Sequence, residues 1–272
     1  MDNQSSLNEL ALFAGAGGGI LGGKLLGWKT VCAVEWEPYP ASVLCARQND
    51  GLLPPFPIWD DVQTFDGRPW RGIVDVVSGG FPCQDISAAG KGDGLDGERS
   101  GMWKHMARVV GEVRPRYVFV ENSPMLTTRG GTRVVGDLTE MGYDCKWTVM
   151  GAADVGANHQ RDRIWILAHS KRSGLEGHRQ VGQQEVTWSG RSGSLAHTED
   201  KGDVWRQWLM GFAQEEYDHR RGPIDGGGKW WEAEPNVGRV DHGVAARVDR
   251  LKAIGNGQVP LCAASAWRLL NS

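Results

Sequence analysis

Paired cysteines are missing from this chain, and so is any long apolar run. The five cysteines, Cys32, Cys45, Cys83, Cys145 and Cys262, stand singly with no C-x-x-C among them. That pattern argues against structural zinc and a disulfide framework, and it suits a reducing compartment. No apolar run is long enough to span a bilayer, and MDNQSSLNEL carries no basic region leading into an apolar core. No membrane association and no export signal are therefore expected, and the expected location is the cytoplasm. Charge of one sign is scarce too: the net charge is −3, which gives no global support for nucleic-acid binding. A DNA-facing surface would have to come from local clusters such as Arg161/Arg163, Lys171/Arg172 and Arg220/Arg221.

What is present is enough apolar material for a core. With 272 residues, 40% hydrophobic and 23% charged, the chain suits one α/β domain and a small second lobe. Segments of strand and helix character alternate through the first 169 residues. Strands are expected at 10–15, 30–35, 73–78, 116–121, around 145–150 and at 163–168, with a short extended piece carrying Asp60 and Asp61. Helices are expected from the glycine turn to about Leu26, at about 38–49, 101–113 and 130–141, with a closing helix in LCAASAWRLL. Such alternation implies a mostly parallel sheet with helices on both faces.

After His169 the composition changes. Residues 170–204 are rich in Ser, Gly, Gln and charge, and 205–217 space Trp205, Trp208, Leu209 and Phe212 for one amphipathic helix. The expected organisation is a main domain, 1–169 plus 249–272, with a small second region, 170–248.

Three places carry chemistry. The strand, glycine turn and helix at 10–26 let backbone N–H groups approach a ligand, and the helix N-terminus adds a partial positive charge. On its own this turn suits NAD, FAD or adenosylmethionine. The second strand closes on Glu35, placed for ribose hydroxyls, and Trp36 follows with a ring able to stack on adenine. Third is GGFPCQDISAAGKGDGLDGERSGMW, 79–103, with Cys83 directly after a proline at the end of a buried strand. A thiol of ordinary pKa, about 8.5, is only a few per cent thiolate at neutral pH and needs local activation to be a nucleophile. Gly90, Gly92, Gly94 and Gly97 suit a loop that closes over substrate.

Taken in order, LFAGAGG (12–18), GGFPCQDIS (79–87), ENS (121–123), QRDRIWIL (160–167) and GNGQVP (255–260) resemble the motif set of DNA cytosine-5 methyltransferases of the bacterial and phage type. The resemblance covers roughly 1–169 and 250–272, and it implies that 1–169 plus 249–272 form a catalytic and cofactor-binding domain and 170–248 a small target-recognition region. It implies a Rossmann-like methyltransferase fold and transfer of a methyl group from S-adenosylmethionine to carbon 5 of a flipped-out cytosine, leaving S-adenosylhomocysteine. It implies no metal. Cys83 would be the covalent nucleophile, Glu121 would bond the N3/N4 edge of cytosine, Arg163 would reach its O2, and Arg161 would support the same site or a phosphate. The cofactor positions would be Phe13, Ala16, Gly17, Glu35, Trp36, Asp61, Val62, Gly80, Pro82 and Asn256, with Asn256 and its neighbours folding back beside the first glycine turn. Gln84, Ser87, Lys91 and Arg99 would touch DNA. Double-stranded DNA is the implied partner of a monomeric enzyme in DNA modification, and the resemblance allows a cognate restriction endonuclease.

Departures from the family pattern keep other readings open. His159 stands where the eighth motif has Gln, and Gly257 replaces the serine of GNSV with Gln258 as an extra residue. The ninth motif is not identifiable, and about 80 residues between the eighth and last motifs are short for a recognition lobe. Trp205, Trp208, Trp230 or Trp231 would anchor a minimal reader there, since direct readout needs only three or four side chains. A transfer-RNA cytosine-5 methyltransferase and a catalytically dead DNA-binding relative are the alternatives.

Overall fold

The computed structural model describes residues 6–82, 101–171 and 247–272. The expected nucleophile Cys83, the expected DNA contacts Gln84, Ser87, Lys91 and Arg99, and the tryptophan-bearing segment 205–231 lie outside the described residues.

The strands are β1 (Asn8–Leu12), β2 (Lys29–Val34), β3 (Ile58–Trp59), β4 (Val76–Gly79), β5 (Tyr117–Asn122), β6 (Tyr143–Met150) and β7 (Arg163–Ser170). The helices are α1 (Gly18–Leu25), α2 (Pro38–Asn49), α3 (Met102–Val113), α4 (Gly131–Glu140), α5 (Arg247–Asn256) and α6 (Pro260–Leu270). The strands form a seven-stranded sheet in the order β3-β2-β1-β4-β5-β7-β6. The pairings from β3 through β5 are parallel, while β7 runs antiparallel to both β5 and β6. The expected mostly parallel α/β sheet is therefore present, with an antiparallel edge that periodicity alone does not reveal.

Alternation along the strands divides the buried residues among three clusters. Leu10, Leu12, Cys32, Val34, Val77, Val118, Val120, Ile164 and Ile166 pack with Trp103, Met106, Val109, Val110 and Val113 of α3 and with Val134 and Leu138 of α4. The alternate residues Val76, Tyr117, Phe119, Trp165 and Leu167 meet Cys262, Ala263, Ala266 and Trp267 of α6. Ala11 and Ala33 cluster with Ile20 of α1 and Leu44 of α2. Burial on both faces explains why these strands read as nearly continuous apolar runs.

Several boundaries differ from the sequence reading, among them β4, expected at 73–78 and found at Val76–Gly79. The first strand ends at Leu12, because Phe13 takes a positive φ of 52° and leaves the extended region. Asp60 and Asp61 follow β3 rather than lying in it. By chain contacts, Met1–Ser189 with Lys252–Ser272 form one unit and Gly190–Leu251 another. Among the described residues no helix is long and apolar enough to cross a membrane.

Candidate active site

Strand order reverses between β1 and β4, the switch point beyond whose carboxyl ends open α/β sheets hold their ligands. Phe13 to Gly17 leave β1 there. Gly17, at φ 91°, precedes α1 in a left-handed conformation that a side chain would strain. The Ala14 N–H donates to the Val34 carbonyl at 3.1 Å, which seats the turn beside the end of β2. Ala16 is half-buried within this turn.

Glu35 stands just past β2 and is 8% exposed. Its carboxylate accepts from the N–H groups of Gly15, at 2.6 Å, and Glu37, at 2.8 Å. Burial pushes the Glu35 carboxyl above its ordinary value; the two N–H groups and Lys252 act against that shift, while the Glu37 charge adds to it. Trp36 is 68% exposed, which leaves a ring face open for stacking. Asp61 begins a turn, accepting from the Gln63 N–H at 2.8 Å, and Val62 beside it is buried. Arg108 of α3 clamps that turn: it donates to the carbonyls of Val62 at 2.6 Å and Phe65 at 2.9 Å, and to Glu112 at 2.7 Å.

The antiparallel edge brings Glu121 and Arg163 together. Glu121 lies near the end of β5 and pairs in register with Trp165, so Arg163, first in β7, falls beside it. Arg163 Nε lies 2.8 Å from Glu121 Oε1. Glu121 is 9% exposed. Desolvation raises its pKa, against Arg163, Arg161 and a hydrogen bond from Gln258, all of which favour the carboxylate. Asn122 Nδ2 donates to the Phe81 carbonyl at 3.0 Å, tying β5 to the segment that leads through Pro82. Gly80 is kept small by its neighbours, since a Cβ there would overlap Glu121 Oε2.

Arg161, expected to support this site or a phosphate, holds the terminal segment. Its guanidinium donates to the Gly255 carbonyl at 2.7 Å and to the Gly257 carbonyl, so it straps the terminal segment. Asn256 is exposed at the end of α5. Its neighbour Gln258 reaches the glycine turn: a Cβ on Gly18 would meet its main-chain carbonyl. Sequence reasoning missed Gln258 and Arg108 as site residues. Gln258 lies inside the GNGQVP motif, but only the fold shows what it touches. Among the described residues no group of three or more His, Cys, Asp or Glu is arranged to hold a metal.

A doubly wound α/β domain, with a glycine turn and an acid at adjacent strand ends, defines a nucleotide-cofactor-binding class of protein. Comparison narrows this class. The model of the family described as C-5 cytosine-specific DNA methylase matches residues 7–217. The chain is 35% identical over 168 residues to the Type II methyltransferase M.CviJI of Paramecium bursaria Chlorella virus IL3A, covering 61% of this chain and 44% of that protein. It is 28% identical over 219 residues to the Type II methyltransferase M2.BsuMI of Bacillus subtilis (strain 168), covering 77% and 54%. Among solved structures, the Entamoeba histolytica methyltransferase EhMeth shares the fold, with a TM-score of 0.52, 15% identity, and coverage of 68% of this chain and 58% of that one. The chain belongs to the C-5 cytosine-specific DNA methylase family. It spans about half the length of the curated relatives it matches.

Proposed function

We propose that this protein methylates carbon 5 of cytosine in DNA, using S-adenosylmethionine and a covalent bond to Cys83. The observation that carries the reading is the pairing of buried Glu121 with half-buried Arg163 at the end of β5, in a chain of this family, with the glycine turn and Glu35 at the neighbouring strand ends.

The residues fit the cofactor. The turn at Phe13, Ala16 and Gly17 leads into a helix N-terminus suited to a carboxylate. Glu35 offers oxygens to ribose hydroxyls, Trp36 a stacking face, and Asp61 with Val62 an adenine edge. Gly80 and Pro82 contribute from the segment that precedes the nucleophile in the chain, and Asn256 from the terminal segment. When bound, the cofactor supplies an electrophilic methyl group.

Carbon 5 of cytosine is a weak nucleophile within an electron-poor ring. Addition of the Cys83 thiolate to carbon 6 breaks the ring's aromaticity and makes carbon 5 an enamine carbon. Glu121, with its carboxyl drawn towards the protonated form by burial, donates to the N3 edge as electron density moves there. Arg163 steadies the O2 side, where a fixed cation in a dry pocket is strongly effective. Once carbon 5 has been methylated, its proton leaves to a base, the carbon 6–sulfur bond breaks, and that bond's electron pair returns to Cys83. Arg161 acts indirectly, through the carbonyls of Gly255 and Gly257.

The target carbon is buried in a duplex, so the base must leave the stack, at a cost of a few kcal/mol. Gln84, Ser87, Lys91 and Arg99 hold the DNA backbone while it does so, and residues 170–248 read the target bases. The protein acts as a monomer in the cytoplasm of a bacterial or phage-infected cell, marking DNA against a cognate nuclease. The naming of its relatives as Type II methyltransferases supports that role.

Incubation with S-adenosylmethionine and DNA of mixed sequence, followed by single-base mapping of 5-methylcytosine, tests the reading. Methylation at one short motif is expected. Methylation of nearly every cytosine would remove the base-reading role of 170–248. A bound cofactor with no methylated DNA would overturn the substrate and turn attention to transfer RNA, then to a DNA-binding protein without activity.

A further inference from the structure

Gln258 touches three parts of the site at once. Its main-chain carbonyl occupies the space a side chain on Gly18 would need. Its Oε1 lies 2.5 Å from the position of a Cβ on Gly19, and its Nε2 lies 3.0 Å from that of a Cβ on Gly80. Glu121 Oε2 flanks that same point at Gly80, so the carboxamide faces the carboxyl and favours its charged form, while Glu121 Oε1 is held by Arg163 Nε at 2.8 Å. The main chain carrying Gln258 is itself fixed, because Arg161 grips the carbonyls of Gly255 and Gly257.

A spacer between two helices needs none of this. Three glycines, two in α1 and one after β4, make room for one glutamine. An amide suits the place because it presents a donor to Glu121 and an acceptor to the α1 side, whereas a flipped amide would set oxygen against oxygen. We propose that Gln258 is a positioning residue for Glu121, fixing the carboxyl group for the cytosine edge and tying that orientation to the glycine turn on the cofactor side. The assignment rests on the methyltransferase reading for its purpose, and on the contacts of Gln258 for its geometry.

The test uses the full chain with Gln258→Leu, which removes the donor, and Gln258→Glu, which sets a second carboxylate beside Glu121. Three quantities are read: the carbon-13 titration of the Glu121 carboxyl, kcat against KM for DNA, and the affinity for S-adenosylhomocysteine. The charged groups facing Glu121, Arg163 on β7 and Arg161 just before it, remain in both variants. Losing a donor to the charged form moves the Glu121 titration to higher pH, and the second carboxylate moves it further in the same direction. In Gln258→Leu, kcat falls about ten- to a hundredfold, the range for one hydrogen bond to a charged group. Cofactor affinity changes less than about threefold, because the main-chain carbonyl on Gly18 is kept.

An unmoved Glu121 titration would overturn the proposal. So would a loss of cofactor affinity and thermal stability together with no titration shift, which is the signature of a packing role. If the wild-type protein methylates no cytosine, the functional reading fails instead, and the Glu121 titration still decides the positioning.

Discussion

At the residue scale, Glu9 of β1 is 1% exposed and accepts from Thr30 Oγ1 of β2 at 2.7 Å and from Ser78 Oγ of β4 at 2.6 Å. Burial raises its pKa, and the two hydroxyls only partly oppose that. In the unfolded chain Glu9 ionises at its ordinary value, while in the folded chain it holds its proton to higher pH. Wild-type stability therefore falls as pH rises from the ordinary carboxyl value through the raised one. Glu9→Gln keeps the shape and stays neutral, so its melting temperature relative to wild type should rise as the buffer is taken from acid to neutral pH. A difference that is flat with pH, or that falls, would contradict a protonated Glu9. Nothing in NELAL announces this role, because an acid there reads as an ordinary strand-start charge. Glu35 and Glu121 are legible in the sequence because each stands at the carboxyl end of a strand, where open α/β sheets hold ligands. Gln258 is not, because its partners Gly18, Gly80 and Glu121 are distant along the chain.

At the scale of elements, hydrophobic periodicity carries most of the fold. Helix α2 occupies Pro38–Asn49, where the sequence predicts it, since Pro38 and Pro40 are tolerated in a first turn that needs no N–H donors. The reversal of β7 is hidden, because a strand buried on both faces has the same composition in either direction. That reversal is what sets Arg163 against Glu121, so the order of the motifs is readable while their pairing is not. Helix α3 links two edges of the site. Its Arg108 holds the Asp61 turn, and its Trp103, buried and donating to Asp137 Oδ2 at 2.7 Å, packs its ring 5.5 Å from that of Phe81. Arg108→Met removes the donors to the Val62 and Phe65 carbonyls while keeping the apolar stem. It should weaken S-adenosylhomocysteine binding about tenfold and lower stability by about 1–3 kcal/mol, the scale of hydrogen bonds from a charged group. Calorimetric titration beside a urea melt checks both. Unchanged cofactor affinity would show that the Asp61 turn does not need this clamp.

At the scale of the whole molecule, the architecture places several chemistries along one sheet edge. The parallel strands β1, β2 and β4 deliver the glycine turn, Glu35 and Gly80, and the β5–β7 pair delivers the carboxyl and guanidinium groups. The terminal segment then returns to this edge through Arg161 and Gln258. A domain so arranged suits one nucleotide cofactor and one base, and the proposed reaction joins them through Cys83. The most direct test replaces the target cytosine of a methylatable duplex with 5-fluorocytosine and adds S-adenosylmethionine. Fluorine at carbon 5 cannot leave as a proton, so the final step is blocked and the carbon 6–sulfur bond persists. A denaturation-resistant protein–DNA adduct is expected, mapped by mass spectrometry to the peptide containing Cys83 and absent in Cys83→Ser. Methylation of ordinary cytosine without any such adduct, or an adduct on another residue, would contradict it.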